Sequence, residues 1–217
     1  ALRKKTDWLN GKSFRDLHFS GPGTDLKVGL ADDHEWMGGA SQAQNGVICN
    51  PNIPSEEVFT TPHYLRVEGH VSSTKPLSHQ GSLIDEIRVE FKEGAIVDAK
   101  ASKGEKIFKK VLESDDGARR LGEVALVPDS SPISQSGLLF YNTLFDENAA
   151  CHIALGQCYS KCFKSKQNLS QEEIKSRGGN SSMIHIDWMI GSKEIDIDGL
   201  SENGEITPVF RKGEWCV

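Results

Sequence analysis

The sequence has no apolar run approaching the ~20 residues that a membrane-spanning helix requires. It also lacks an excess of basic residues. Lys and Arg number 25 against 31 Asp and Glu, for a formal net charge of −6, whereas a phosphate-backbone binder needs a basic patch or stripe. Neither nucleic acid nor a membrane is therefore an expected partner. Cysteine is sparse: Cys49, Cys151, Cys158, Cys162 and Cys216. An odd count at scattered spacings argues against a disulfide framework, and a reducing, cytoplasmic setting is the expectation. Cys151, His152, Cys158 and Cys162 lie close in sequence but lack the paired C-x2-C knuckles of a structural zinc site. Internal repeats and low-complexity linkers are absent too. The opening ALRKKTDWLNGK has a basic start with no apolar region behind it, so it does not read as a signal peptide.

What is present is a globular composition, 37% hydrophobic and 26% charged over 217 residues. That length suffices for one domain with a sizeable core. GPGTDLKVGLADDHEW (21–36) reads as loop-rich with one short strand in DLKVGLA (25–31), and WMGGASQAQNGVICNPNIPSEE (36–57) as turn-like throughout, with Gly, Asn and Pro as punctuation. Alternating strands follow at 65–73, 84–94 and 95–101, the last two joined through Lys92-Glu93-Gly94 as a hairpin. EKIFKKVLES (105–114) has helical periodicity, and Ser170 with Glu173 forms a capping box before a short helix. The stretch 143–159 reads as a loop that becomes helical, and EVALVP (123–128), MIHIDWMIG and EITPVFRKGEW supply further strands. The expected fold class is α+β: a mixed, largely antiparallel sheet with few helices.

One stretch resists a purely structural reading. In SSMIHIDWMI (181–190), His185 and Asp187 interrupt an apolar strand and, two residues apart, share a face. Ile184, Ile186 and Trp188 take the other face. An isolated H-x-D is equally consistent with a half-solvated strand. Further candidates are Glu57 after a run of turns, Glu123 at the mouth of an apolar strand, and Glu147 and His152 around an Ala-rich segment. Tyr159, seven residues beyond His152, would share its face if that segment were helical. Three glutamates, one aspartate and two histidines form an oxygen-rich set with some nitrogen. It suits two divalent ions such as Zn²⁺, Co²⁺ or Mn²⁺. Trp36 and its neighbouring glycines are a candidate pocket wall, and His63 and His70 candidate cleft residues.

The blocks PNIPSEEVFTTPH, RRLGEVALVPDSSPISQSGLLFYNTLFDENAACHIALG and SSMIHIDWMIGS, in that order, together with PVFRKGEW near the end, resemble the metallo-aminopeptidase family of aminopeptidase T, aminopeptidase S and PepS. The resemblance implies a metal site of Glu57, Glu123, Glu147, His152, His185 and Asp187. It also implies that Glu57 or Glu123 acts as base and that Tyr159 donates to an oxyanion. It further implies release of the N-terminal residue from peptides with a free N-terminus, with broad or leucine-leaning specificity, and a homodimer in the full-length protein. Members of the family are about twice this length, a two-domain scale. Residues 1–217 are accordingly expected to form a single C-terminal, metal-binding domain without the family's N-terminal domain. The other readings of the residues are a metal-binding or dimerisation fragment without turnover and a dinuclear phosphoesterase.

Overall fold

The computed structural model describes residues 1–165 and 168–217. Helix α1 (Leu2–Lys12) leads into β1 (Asp16–Gly21) and β2 (Thr24–Leu30). A short ribbon of β3 (Ser41–Gln42) and β4 (Ile48–Cys49) precedes β5 (Val58–Thr60) and the long β6 (Pro62–Ser72). A second ribbon, β7 (Leu77–His79) and β8 (Ser82–Ile84), is followed by β9 (Arg88–Lys92), β10 (Ala95–Lys100) and helix α2 (Glu105–Leu112). Next come β11 (Leu121–Leu126), the short helices α3 (Pro132–Ser136) and α4 (Thr143–Asp146), β12 (His152–Gly156), α5 (Gln171–Ser176) and β13 (His185–Met189). The chain closes with β14 (Asp196–Leu200), β15 (Ile206–Arg211) and β16 (Glu214–Trp215).

Two sheets carry the architecture. One has eight strands in the order β10-β9-β6-β2-β1-β14-β15-β16, the other four in the order β13-β12-β11-β5. Every pairing in both is antiparallel. Their facing sides share one core. Phe19, Leu26, Val67, Phe91, Ile197 and Phe210 of the larger sheet belong to the same buried cluster as Val58, Val124, Leu126, Ile153, Leu155 and Trp188 of the smaller. Helix α2 closes the cluster with Phe108, Val111 and Leu112, a helical stripe. Among the described residues no helix is long and apolar enough to cross a membrane.

The α+β, largely antiparallel expectation holds. The β9–β10 hairpin turns at Glu93 (φ 50°) and Gly94 (φ 78°), the left-handed pair that a two-residue turn demands. A Cβ on Gly94 would lie 1.9 Å from the Tyr64 carbonyl oxygen. The capping box forms, with Ser170 Oγ accepting from the Glu173 amide and the Glu173 carboxylate accepting from the Ser170 amide. The strand expected at 25–31 is β2 (Thr24–Leu30), paired with β1 as a hairpin. One expectation fails. The helix expected late in 143–159 is strand β12, and the only helical turns of that stretch come early, at 143–149.

Candidate metal centre

The site is built by strand register. Residues opposite one another in a sheet share a face, as do residues two apart on one strand. On the smaller sheet Glu123 faces Ala154, which in turn faces Asp187. Ala125 faces His152 on one side and Phe59 on the other, and Gly156 faces His185. One face therefore carries Glu123, His152, His185 and Asp187, with Glu57 two residues before Phe59. The opposite face carries Val58, Val124, Ile153, Ile186 and Trp188 into the core. Between the polar groups stand only Ala125, Ala154 and Gly156, so the sheet floor leaves room above it. Strand β11 reaches this register through a bulge at Gly122. A Cβ there would lie 2.4 Å from both the Gly156 and Gln157 carbonyl oxygens.

The polar groups form two triads. Ligand atoms of Glu57, Glu123 and His152 lie within 4.8 Å of one another, as do those of Glu123, His185 and Asp187. Glu123 belongs to both. His152 Nε2 is 3.1 Å from Glu57 Oε2, and His185 Nε2 is 3.2 Å from Glu123 Oε2 and 3.4 Å from Asp187 Oδ1. Each imidazole is fixed from behind: Nδ1 of His152 lies 3.1 Å from the Ala150 carbonyl oxygen, and Nδ1 of His185 lies 2.7 Å from that of Gln157. Donation at Nδ1 turns Nε2 toward the carboxylates, the arrangement in which imidazole ligates a metal.

These contacts are close but poorly aligned. Glu57 Oε2 and His185 Nε2 are buried without a hydrogen-bond partner. Buried polar atoms are rarely left so, and a cation between them would satisfy both. Burial pushes Glu123 up to about 7, with the charges of Asp187 and Glu57 adding and the facing His185 opposing. Burial likewise pushes Glu147 up to about 8. For His152, burial opposes charging, yet Glu57 beside it and the charges of Asp187 and Glu123 carry it up to about 10. His185 is carried against burial up to about 11 by Asp187 and Glu123. Burial would raise Asp187, but the two histidines hold it below the ordinary carboxylate range. The oxygen-rich donors, Glu57, Glu123 and Asp187, with two imidazoles suit divalent cations.

A cavity of about 300 Å³ opens over this face, and Glu57, Glu123, Asp187, Glu147 and Tyr159 all reach it. Glu147 lies outside both triads, on a short 3-10 turn after α4. Its neighbour Asn148 is buried, accepts from the Glu56 amide at 2.8 Å and donates to the Leu144 carbonyl. That pair of bonds ties the Glu57 and Glu147 segments together. Tyr159 is not on a helix with His152. It follows strand β12, and its ring lies 4.8 Å from that of His185 and 5.7 Å edge-on from that of Phe59. Burial, with the surrounding carboxylates adding, pushes its hydroxyl far above the usual range, so it stays a donor.

Other candidates fall elsewhere. Trp36 is buried in the core, and its neighbours Met37, Gly38 and Gly39 line the cavity instead. His63 stacks on Tyr64, and neither it nor His70 lines the cavity. Cys151, Cys158 and Cys162 are buried free thiols. Phe59, Lys161 and Asn148 were missed from sequence, although Phe59 stands two residues from Glu57, the spacing that revealed the H-x-D pair.

The cluster is a candidate metal site, and the chain belongs to the thermophilic metalloprotease (M29) family, matched over residues 1–215. Aminopeptidase T of Thermus thermophilus is 52% identical over 217 residues, and aminopeptidase PepS of Streptococcus thermophilus is 48% identical over 216. The chain spans about half the length of these curated relatives, 53% and 52% respectively. The solved structure of wild-type AmpT from Thermus thermophilus superposes with a TM-score of 0.95 at 52% identity, over 99% of this chain and 53% of that one. A 2,5-dihydroxypyridine dioxygenase from Pseudomonas putida shares the fold alone, at TM-score 0.66 and 14% identity.

Proposed function

We propose that this chain is the metal-binding half of a dinuclear aminopeptidase that removes the N-terminal residue from peptides. The observation that carries the reading is Glu123, shared by two triads whose imidazoles are turned inward by backbone carbonyls. Glu57, Glu123 and His152 would hold one divalent ion; Glu123, His185 and Asp187 would hold the other. When bound, the ions supply Lewis acidity and lower the pKa of water.

The protein's own groups complete the reaction. Glu57 or Glu123 takes a proton from the attacking water as its oxygen bonds to the scissile carbonyl carbon. The Tyr159 hydroxyl donates to the oxyanion that develops. The proton then passes to the leaving amine as the C–N bond breaks. Glu147, a metal ligand by the resemblance, lies in the cavity but outside both triads; from there its carboxylate would also meet the substrate's free α-amino group, which makes the reaction an exopeptidase one. Zinc, cobalt or manganese, a leucine-leaning preference, a homodimer of the full-length protein and a cytoplasmic setting belong to the same proposal.

The test is elemental analysis of the purified chain after dialysis against Zn²⁺ or Co²⁺, followed by assay of amino acid release from leucyl peptides. Two ions per chain with chelator-sensitive release are expected. Two ions without release would favour the fragment reading, and none would refute the ligand set.

A further inference from the structure

We propose that Lys161 is the specificity residue that receives the terminal carboxylate of short peptides. The inference rests on the aminopeptidase reading and extends it to substrate class. The cavity lining includes four carboxylates, Glu57, Glu123, Glu147 and Asp187, and among the described residues Lys161 is its only basic side chain. Its ammonium stands over two rings of the wall, 5.2 Å from the Phe59 centroid and 5.4 Å from that of Tyr159. Aromatic faces hold a cation in place without neutralising it. Among the described residues no carboxylate lies within ion-pair distance of it, so its charge is free for a ligand.

The spacing sets an upper limit on length. The Tyr159 ring is 5.4 Å from the ammonium and 4.8 Å from the His185 ring. Ammonium and imidazole are therefore no more than about 10 Å apart, the reach of two to three extended residues at ~3.3–3.6 Å each. A dipeptide or tripeptide zwitterion matches this polarity from end to end. Its ammonium meets the acidic wall and its carboxylate meets Lys161, whereas a second negative group anywhere nearer the carboxylates would be repelled. A long peptide has no charge at that distance unless its penultimate side chain supplies one.

The experiment uses the Zn²⁺-loaded chain, with Lys161→Met to remove the charge and Lys161→Arg to restore it. Binding of the ketomethylene isostere of Leu-Leu is measured by calorimetry, as free acid and as amide, and steady-state kinetics are run on Leu-Leu and its amide. The acid is expected to bind about tenfold tighter than the amide to the parent chain, the scale of one hydrogen-bonded charge pair. Lys161→Met should abolish that ratio through KM with kcat within twofold, and Lys161→Arg should keep it. Equal binding of acid and amide by the parent chain, or an unchanged ratio in Lys161→Met, overturns the assignment to Lys161 alone. A preference for Leu-Glu amide over Leu-Gln amide, without one for the terminal acid, overturns the short-peptide reading in favour of an acidic side chain. Failure to bind either isostere overturns the aminopeptidase reading with it.

Discussion

Replacing Glu123 by glutamine should stabilise the metal-free chain and destabilise the metal-loaded one. Glu123 is 3% exposed and held at about 7, against an ordinary value near 4.5. A carboxyl group raised on folding binds more protons in the folded state between those two values. Stability therefore falls as pH climbs from 4.5 to 7 and stays low above. At 1.36 kcal/mol per pH unit, the ionised Glu123 costs the metal-free fold about 3 kcal/mol at pH 8. The attraction of His185 is already contained in that figure, since it opposes the shift. For a chain of this size, about 3 kcal/mol corresponds to roughly 6–12 °C in Tm. In chelator at pH 8, Glu123→Gln should melt higher than the parent by that order, and the gap should close at pH 4.5.

Saturating Zn²⁺ should reverse the order, because binding stabilises the parent by mass action and the variant has lost the group common to both triads. The assay is thermal unfolding followed by circular dichroism, with and without metal, at both pH values. A variant that melts below the parent in chelator at pH 8 would show that Glu123 is not buried as a strained charge, and the account of the cluster would fail.

Three further outcomes follow from the same geometry. Gly122→Val should cost more than about 2 kcal/mol in urea unfolding, since its side chain would meet two carbonyl oxygens at 2.4 Å and force out the bulge that sets Glu123 in register. Asn148→Ala leaves the Glu56 amide and the Leu144 carbonyl unpaired, a loss of about 1–3 kcal/mol, and should weaken metal binding measured by competition with a chromogenic chelator. Tyr159→Phe should lower kcat about 10²–10³-fold with metal content and KM little changed; an equal fall in metal content would make the hydroxyl structural instead.

Two neighbouring strands of the site, β13 and β12, differ in how readily the sequence reveals them. Strand β13 is legible because its two faces have different chemistry: Ile186 and Trp188 enter the core, and His185 and Asp187 turn to Glu123 on the other face. Strand β12, HIALG, is buried along its whole length and so shows no alternation. Ala149 and Ala150 just before it and Ala154 within it are good helix formers, which is why a helix was expected there. The structure gives Ala154 another role. It stands between Glu123 and Asp187, as Ala125 of β11 stands between Phe59 and His152. Their small size is a property of the site rather than of the backbone.

Lys161 was hidden for a different reason, and Glu147, although a candidate from the sequence, owes its placement to the same kind of long-range contact. Neither sits on a strand of the site, so no periodicity points to them. Glu147 is placed by Asn148, which reaches Glu56 across 92 residues of sequence. Lys161 is placed by aromatic contacts with Phe59 and Tyr159, one of them 102 residues away. A lone lysine after a tyrosine carries no signal until the chain has folded, because a charge acquires its meaning from the potential around it. Here that potential comes from four carboxylates gathered by long-range strand pairing. The same gathering that makes the cluster costly without cations makes one uncompensated lysine at its rim a directional feature for an incoming zwitterion.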